Sequence, residues 1–183
     1  TLTLPLIGGP KNKGKITIKA DRVATSSIWV DLELHGINLK HPFSGYFNCF
    51  STPEPYLVIS RCKDKNSSEF LPIHKTKAIE GDLNPKWKSF QMSLGILCKG
   101  DKEWPIKIEY YQKKGPDFVV ASLTTNLQQI EKKEKLLLKD AAGKNAGYIL
   151  PASIKTEEVK TMIEHMQEGT QLNLYAAVDF TAS

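Results

Sequence analysis

The chain has 183 residues, of which 40% are hydrophobic and 25% are charged, and its formal net charge is +5 at pH 7. A chain of this length can bury a hydrophobic core and suits one domain with flanking segments. Its longest apolar runs are much shorter than a membrane-spanning helix requires, and its first ten residues lack the pattern of a secretory signal, so a cytoplasmic globular domain is expected.

Short segments of alternating apolar and polar residues, separated by Gly, Pro, Asn and Asp, predict β-strands through most of the chain. The alternation is cleanest at residues 28–35, which predicts one core face and one solvated face, with His35 on the solvated face. The predicted strands are residues 14–23, 27–39, 56–62, 71–79, 87–94, 106–111, 118–125 and 135–139. Eight such strands predict an all-β, eight-stranded antiparallel sandwich.

Two segments with helical spacing follow these strands. Leu127 and Ile130, among polar residues 126–135, predict a short exposed helix or turn. Residues 156–169 predict a helix that ends at Gly169, with its methionines in the core. The apolar run at residues 172–180 then predicts a buried strand, the start of an α/β domain.

Several classes of function are disfavoured by the composition. Cys49, Cys62 and Cys98 form no closely spaced metal-ligand pair and are expected to be reduced structural thiols. The four histidines are scattered, and neither a nucleophile elbow nor a phosphate-binding loop occurs, so we expect no enzyme. The high acidic content and the lack of a reader motif argue against a nucleic-acid partner.

The start of the chain echoes a later part of it. Residues 4–19 and residues 136–155 each combine an apolar stretch, a glycine-containing linker and an alternating segment. Tandem copies of one module would produce such an echo. Residues 1–13 are therefore expected to be a linker or the tail of a preceding module.

The segment KTKAIEGDLNPKWKSFQMSL, residues 75–94, resembles the central strand pair of C2 domains. Asn84 and Pro85 suit the turn between the two strands, because proline restricts φ and asparagine bonds to its own backbone. Trp87 and Phe90 supply large apolar anchors for the core. The resemblance therefore implies a C2-type β-sandwich.

In the first strand of this pair, period-2 alternation directs Lys75 and Lys77 outward and Thr76 to the opposite side. Two solvent-facing lysines are thereby expected on one face of the strand.

Further segments resemble the second C2 domain of copines. They are LCKGD at residues 97–101, IKIEYY at residues 106–111 and DFVVASLTTNLQQI at residues 117–130. The closing AVDFTAS resembles the start of the copine von Willebrand A domain. The resemblance implies a C2 domain at residues 14–155, then a linker helix and the first strand of the von Willebrand A domain at residues 156–183.

The closing segment carries part of a metal motif. Asp179, Thr181 and Ser183 match the Asp-x-Thr-x-Ser pattern that ligates a hard cation through oxygens in that domain. The other loops of the motif lie beyond this sequence, so the three residues alone are expected to hold no metal.

The resemblance also implies two loops that hold calcium through about five aspartates. Here the first loop offers Glu54, and the second has Gln112 in place of its first aspartate and then Asp117. Lys113 and Lys114 stand between them. Two carboxylates beside two lysines cannot offset the dehydration of calcium, so we expect a degenerate, calcium-insensitive site and no cofactor.

Two functions remain open at the level of the sequence. The first is peripheral docking to anionic phospholipid membranes, with the aromatic residues of the first loop (Phe43, Tyr46, Phe47 and Phe50) either inserting into the interface or folding back as a local core. The expected lipid-binding residues are Lys75, Lys77, Arg61, Lys63, Lys65, Lys113 and Lys114. The second is a protein-interaction scaffold that positions the von Willebrand A domain, through which protein partners would bind, without contacting lipid.

Overall fold

The computed structural model describes residues 2–5, 15–18, 27–41, 52–65, 67–113, 118–160 and 162–169. Within these residues, strands β1 (Leu2–Pro5) and β2 (Lys15–Ile18) form a two-stranded antiparallel sheet of their own. The remaining strands are β3 (Ile28–Ile37), β4 (Pro55–Cys62), β5 (Phe70–Lys75), β6 (Phe90–Ser93), β7 (Ile106–Gln112), β8 (Phe118–Thr125), β9 (Leu136–Lys139) and β10 (Asn145–Glu158). The helices are α1 (Leu94–Cys98), α2 (Leu127–Glu131) and α3 (Met162–Gln167).

Strands β3 to β10 form one curled antiparallel sheet in the order β5-β4-β7-β8-β9-β10-β3-β6. The curl brings the two edge strands towards each other. Their approach is visible in the stacking of the His74 ring on β5 against the Phe90 ring on β6, with centroids 3.9 Å apart. The predicted eight-stranded antiparallel sandwich is confirmed.

Alternation along the strands fills the space between the two halves of the sheet. Val30, Leu32 and Leu34 of β3 are buried, as the sequence pattern predicts. Ile106 and Ile108 of β7 face them from the other half as part of the same core cluster. Burial of these side chains supplies the main driving force for folding.

The longest strand, β10, was not predicted as a strand, because it contains Gly147 and Pro151. The sheet accommodates both residues at irregularities, since the register shifts between Asn145 and Tyr148 against β9 and between Pro151 and Ser153 against β3. The main sheet thus has eight strands, but they are not the eight predicted ones. Strand β10 belongs to it, whereas β2 pairs with β1 in the separate two-stranded sheet.

The predicted start of the last helix at residue 156 is wrong. Thr156, Glu157 and Glu158 continue β10, where they pair with Val30, Trp29 and Ile28 of β3. Inter-strand hydrogen bonding therefore outweighs the local helical spacing. The helix is confined to Met162–Gln167, and its apolar residues are exposed rather than part of the core, with Met162 63% and Ile163 67% exposed.

Other boundaries also differ from the predicted ones. Strand β5 ends at Lys75 instead of residue 79, and β6 begins at Phe90 instead of residue 87. The side chain of Ser93 accepts a hydrogen bond from the backbone of Ile96 and so begins α1, which the sequence pattern did not reveal. Helix α2 confirms the short helix predicted at residues 126–135, with Asn126 as its N-cap.

The two cysteines within the described residues, Cys62 and Cys98, are buried free thiols. Burial raises the pKa of Cys98 to about 11, which keeps this thiol protonated and unreactive near neutral pH. No helix in the described part of the chain is long and apolar enough to cross a membrane.

Candidate functional site: a lysine groove

One side of the site is built on the end of β5, where Thr76 is the anchor. Its backbone N–H donates to the Leu57 carbonyl and its hydroxyl accepts from the Leu57 N–H, both at 2.9 Å. Thr76 is buried, whereas Lys75 and Lys77 on either side are exposed. The predicted alternation of these three residues is confirmed.

The other side is built on the turn that leads to β6. The side-chain oxygen of Asn84 accepts from the Asn38 N–H at 2.8 Å, and the Pro85 carbonyl accepts from the Gly36 N–H at 2.8 Å. These bonds hold the segment from residue 85 to residue 87 beside β3. Trp87 consequently points into the core, as predicted, with 2% of its surface exposed.

Between these two segments lies a hollow of about 730 Å³, which we call the lysine groove. Its walls carry Lys75 and Lys77 on one side and Lys86 and Lys88 on the other. Its apolar lining includes Ile79, Trp87 and Phe90. A smaller adjoining hollow is lined by Lys75, Lys77 and Lys113, together with Tyr56.

The charge in the lysine groove is almost entirely positive. Among the described residues that line it, Glu33 is the one carboxylate, and its oxygen is already 2.8 Å from the ring nitrogen of His35. Within the described residues, Lys77, Lys86 and Lys88 form no ion pair. Their charges are therefore available to a bound anion.

Lys75 is oriented by an aromatic ring. Its ammonium nitrogen lies 4.2 Å from the centroid of the Tyr56 ring, and that ring stacks on Tyr111 at 5.1 Å. A cation over an aromatic face is attracted by the ring quadrupole and loses conformational freedom. The arrangement holds one lysine at the point where the two hollows meet.

The fold separates the cations that were predicted from the sequence into two groups. Lys75, Lys77 and Lys113 line adjoining hollows, whereas Arg61, Lys63 and Lys65 do not join them. Lys75 lies opposite Val58 near the start of β4, but Lys63 and Lys65 follow the end of that strand, more than ~13 Å further along.

The cations at the far end of β4 have partners of their own. Lys63 pairs with Glu69 at 2.9 Å and Lys65 with Asp101 at 2.6 Å. The Arg61 guanidinium donates to the carbonyls of Gly95 and Ile96 in α1. These three cations therefore do not neighbour Lys75 and Lys77, because their partners hold them at the opposite end of the sandwich.

Sequence reasoning missed Lys86 and Lys88 as members of the groove. A signal for them was present in the pattern Lys-Trp-Lys, because a buried aromatic residue directs both of its neighbours outward in an extended segment. Alternation alone does not show that this pair faces the pair around Thr76.

No family model matches the chain. Among solved structures, it is similar to the second C2 domain of BON1, with a TM-score of 0.60 and 22% identity over 73% of this chain and 94% of that chain. It is also similar to the first C2 domain of a plant extended synaptotagmin 1, with a TM-score of 0.44 and 18% identity over 70% and 91% of the two chains. The first similarity, together with the strand order, decides the fold. The chain has a C2 fold.

Gln112, which the resemblance predicted in place of a calcium-binding aspartate, lies at the end of β7. Its side chain is buried, its oxygen accepts from the Glu54 N–H at 2.6 Å, and its nitrogen donates to the Tyr110 hydroxyl at 2.6 Å. That hydroxyl donates to the Lys40 carbonyl at 3.1 Å. A neutral network thus joins the two loops where calcium would require negative charge.

The described part of the two loops offers few ligands for a calcium ion. They offer one carboxylate of the two expected, Glu54, beside the exposed Lys113, and contain no cluster of three or more acidic, histidine or cysteine ligands. Lys114 and Asp117 of the second loop lie outside the described residues, as do Cys49, the aromatic residues at positions 43–50 and the three residues Asp179, Thr181 and Ser183.

Proposed function

We propose that this C2 domain docks peripherally to anionic phospholipid membranes through the lysine groove. The observation that carries the proposal is the convergence of four exposed lysines on one groove with a single, already engaged carboxylate. A lipid head group supplies the complementary negative charge, and the apolar lining around Trp87 and Phe90 suits the less polar part of the interface.

The expected strength follows from the number of lysines. Each basic residue near an anionic surface contributes about 1 kcal/mol, so Lys75, Lys77, Lys86, Lys88 and Lys113 together contribute about 5 kcal/mol. Binding of this strength is reversible and weakens as salt screens the charges. We propose that the domain is a cytoplasmic, peripheral module without catalytic activity.

We also propose that docking is insensitive to calcium. In a calcium-dependent C2 domain the ion bridges the loops to anionic lipid, whereas here Gln112 and Lys113 replace negative charge by neutral and positive groups. Fixed lysines then supply the attraction that a bound cation would otherwise provide.

Charge reversal of one lysine pair tests the docking proposal. Lys75→Glu with Lys77→Glu removes two attractions and adds two repulsions, so binding to vesicles of equal parts phosphatidylcholine and phosphatidylglycerol should fall at least about tenfold. The matched control is Lys63→Glu with Lys65→Glu, which changes the net charge equally at the opposite end. Vesicle flotation measures binding, and circular dichroism checks the fold.

The control distinguishes a groove from general attraction of a basic protein. If both double variants lose binding equally, the net charge of +5 is sufficient and the groove has no special role. If the groove variant binds like the wild type, docking through these lysines is wrong.

A scaffold function is the second candidate, and one observation favours it. The exposed apolar residues Met162, Ile163 and Met166 on α3, with Val159 just before it, form a surface suited to a neighbouring domain. We propose, from the resemblance to copines, that this domain is the von Willebrand A domain beginning within residues 156–183, after a C2 domain at residues 14–155. Under this candidate alone, neither double variant alters vesicle binding.

A further inference from the structure

The lysine groove contains one side chain whose charge is not fixed. His74 lines it from β5, between the lysine walls, and its ring stacks on Phe90 with centroids 3.9 Å apart and planes inclined by 18°. His74 lies opposite Ile59 and Phe90 lies opposite Leu32, and both of those residues are in the core. The stacked pair therefore connects the two edge strands, β5 and β6, across the open side of the sheet.

The position of His74 disfavours its charged form while the groove holds no anion. Partial burial lowers the pKa of His74 from its ordinary value of 6.5, so the ring is neutral near pH 7. Four lysines face the same space from both walls. Neutral His74 thus adds no attraction for lipid.

An anion in the groove reverses this balance. Negative charge close to the imidazole favours the protonated form, and the bound anion also screens the lysines. By linkage, a ligand that raises the pKa of a group binds more tightly when that group is already protonated. Acidification should therefore strengthen the association of the groove with an anionic surface.

We propose that His74 is a conditional fifth cation of the lysine groove, which takes up a proton as an anionic membrane surface binds. The inference rests on the proposed docking function and names a binding residue that has no fixed charge of its own. It makes docking tighter in mildly acidic surroundings without any calcium signal.

Several elements place charged or titratable groups around His74. On β5 and just beyond it these are Lys75 and Lys77, and on the segment before β6 they are Lys86 and Lys88. Strand β3 contributes Glu33, which already contacts His35, and the hollow on the other side of His74 contributes Tyr56 and Tyr111.

The test compares vesicle binding at about pH 7.5 and about pH 6, a range in which histidine changes charge. Vesicles of equal parts phosphatidylcholine and phosphatidylglycerol are suitable, because a phosphodiester lacks the second ionisation near pH 6 of a phosphate monoester. Wild type should bind about two- to tenfold more tightly at the lower pH, since one proton allows at most about tenfold per pH unit. His74→Phe, which keeps a ring against Phe90, should bind equally at both.

Two histidine controls isolate His74. His35→Gln removes the histidine that contacts Glu33 beside the groove, and this variant should retain the acid enhancement. His165→Gln, on α3 and outside the groove lining, should also retain it. Isothermal titration calorimetry of wild type in two buffers of different ionisation enthalpy measures the proton uptake directly and needs no variant.

The outcomes separate the two proposals. Wild-type binding that is lysine-dependent but equal at both pH values, or an acid enhancement that persists in His74→Phe, overturns the role of His74 and leaves docking intact. Loss of the acid enhancement in His35→Gln, with the enhancement retained in His74→Phe, also overturns the role of His74. Binding that Lys75→Glu with Lys77→Glu leaves unchanged overturns the docking function itself.

Discussion

At the scale of single residues, each pair of groove lysines surrounds one buried side chain. Thr76 lies between Lys75 and Lys77, and it is fixed by two hydrogen bonds to Leu57. Trp87 occupies the same place between Lys86 and Lys88, on the other wall. Because neighbours of an inward residue point outward in an extended chain, two buried anchors suffice to orient four charges.

Trp87 should therefore be important for stability. Replacing it with alanine leaves a cavity in the core and removes the hydrogen bond from its indole nitrogen to the Pro55 carbonyl, so Trp87→Ala should cost about 3 to 5 kcal/mol in the free energy of unfolding. Denaturant titration measures this loss. Lys88→Ala, one position along and exposed, should change the stability by less than about 0.5 kcal/mol. Equal stability of the two variants would contradict the inward orientation of Trp87.

At the scale of elements, β10 connects the two halves of the sheet, since it pairs with β3 on one side and β9 on the other. Its path depends on Gly147, where the register against β9 shifts. The backbone of Gly147 has φ +108°, and a Cβ there would lie 2.7 Å from the Asn38 carbonyl oxygen. A backbone atom at this distance cannot be moved without shifting β3 or the loop after it.

Two alanine substitutions separate this close approach from backbone strain alone. Gly143 also has a positive φ, +75°, but a Cβ there would meet nothing within 4 Å. We expect Gly143→Ala to cost about 1 kcal/mol and Gly147→Ala to cost about 3 kcal/mol or more. Thermal unfolding of both variants measures the difference. If both lose the same stability, the contact between β10 and Asn38 does not constrain the sheet.

At the scale of the whole molecule, the two ends of the sandwich use their lysines differently. The end after β4 pairs Lys63 and Lys65 with carboxylates, whereas in the part of the chain that the structure describes Lys77, Lys86 and Lys88 of the lysine groove form no ion pair. Exposed ion pairs contribute at most about 1 kcal/mol each to the free energy of unfolding. The pairs of Lys63 and Lys65 therefore fix side-chain positions more than they stabilise the fold. The lysine groove is a surface suited to an external partner of negative charge.

The loop end should also fail to respond to calcium. A ligand stabilises a protein only when it binds the native state at the concentration used, and the neutral network around Gln112 provides no charge for calcium. The melting temperature should therefore be the same in micromolar calcium and in chelator. An increase of several degrees would correspond to binding worth more than about 1 kcal/mol and would contradict the proposal.

Features that depend only on neighbouring residues could be predicted from the amino-acid sequence. The alternation in β3, the inward Thr76 and Trp87, and the turn at Asn84 and Pro85 are all local patterns. Period-2 geometry and turn chemistry act over a few residues, so these patterns can be read without knowing what lies opposite.

The tertiary structure alone decided which distant residues meet. Thr156 to Glu158 became strand because β3 offered them hydrogen-bond partners, despite helical spacing in the segment. Curling of the sheet brought the lysine pairs of β5 and of the segment before β6 to one groove with His74 between them, while Lys63 and Lys65 went to the other end. Such encounters depend on strand order and register, which arise from the cooperative packing of the whole sheet and are not encoded in any short segment.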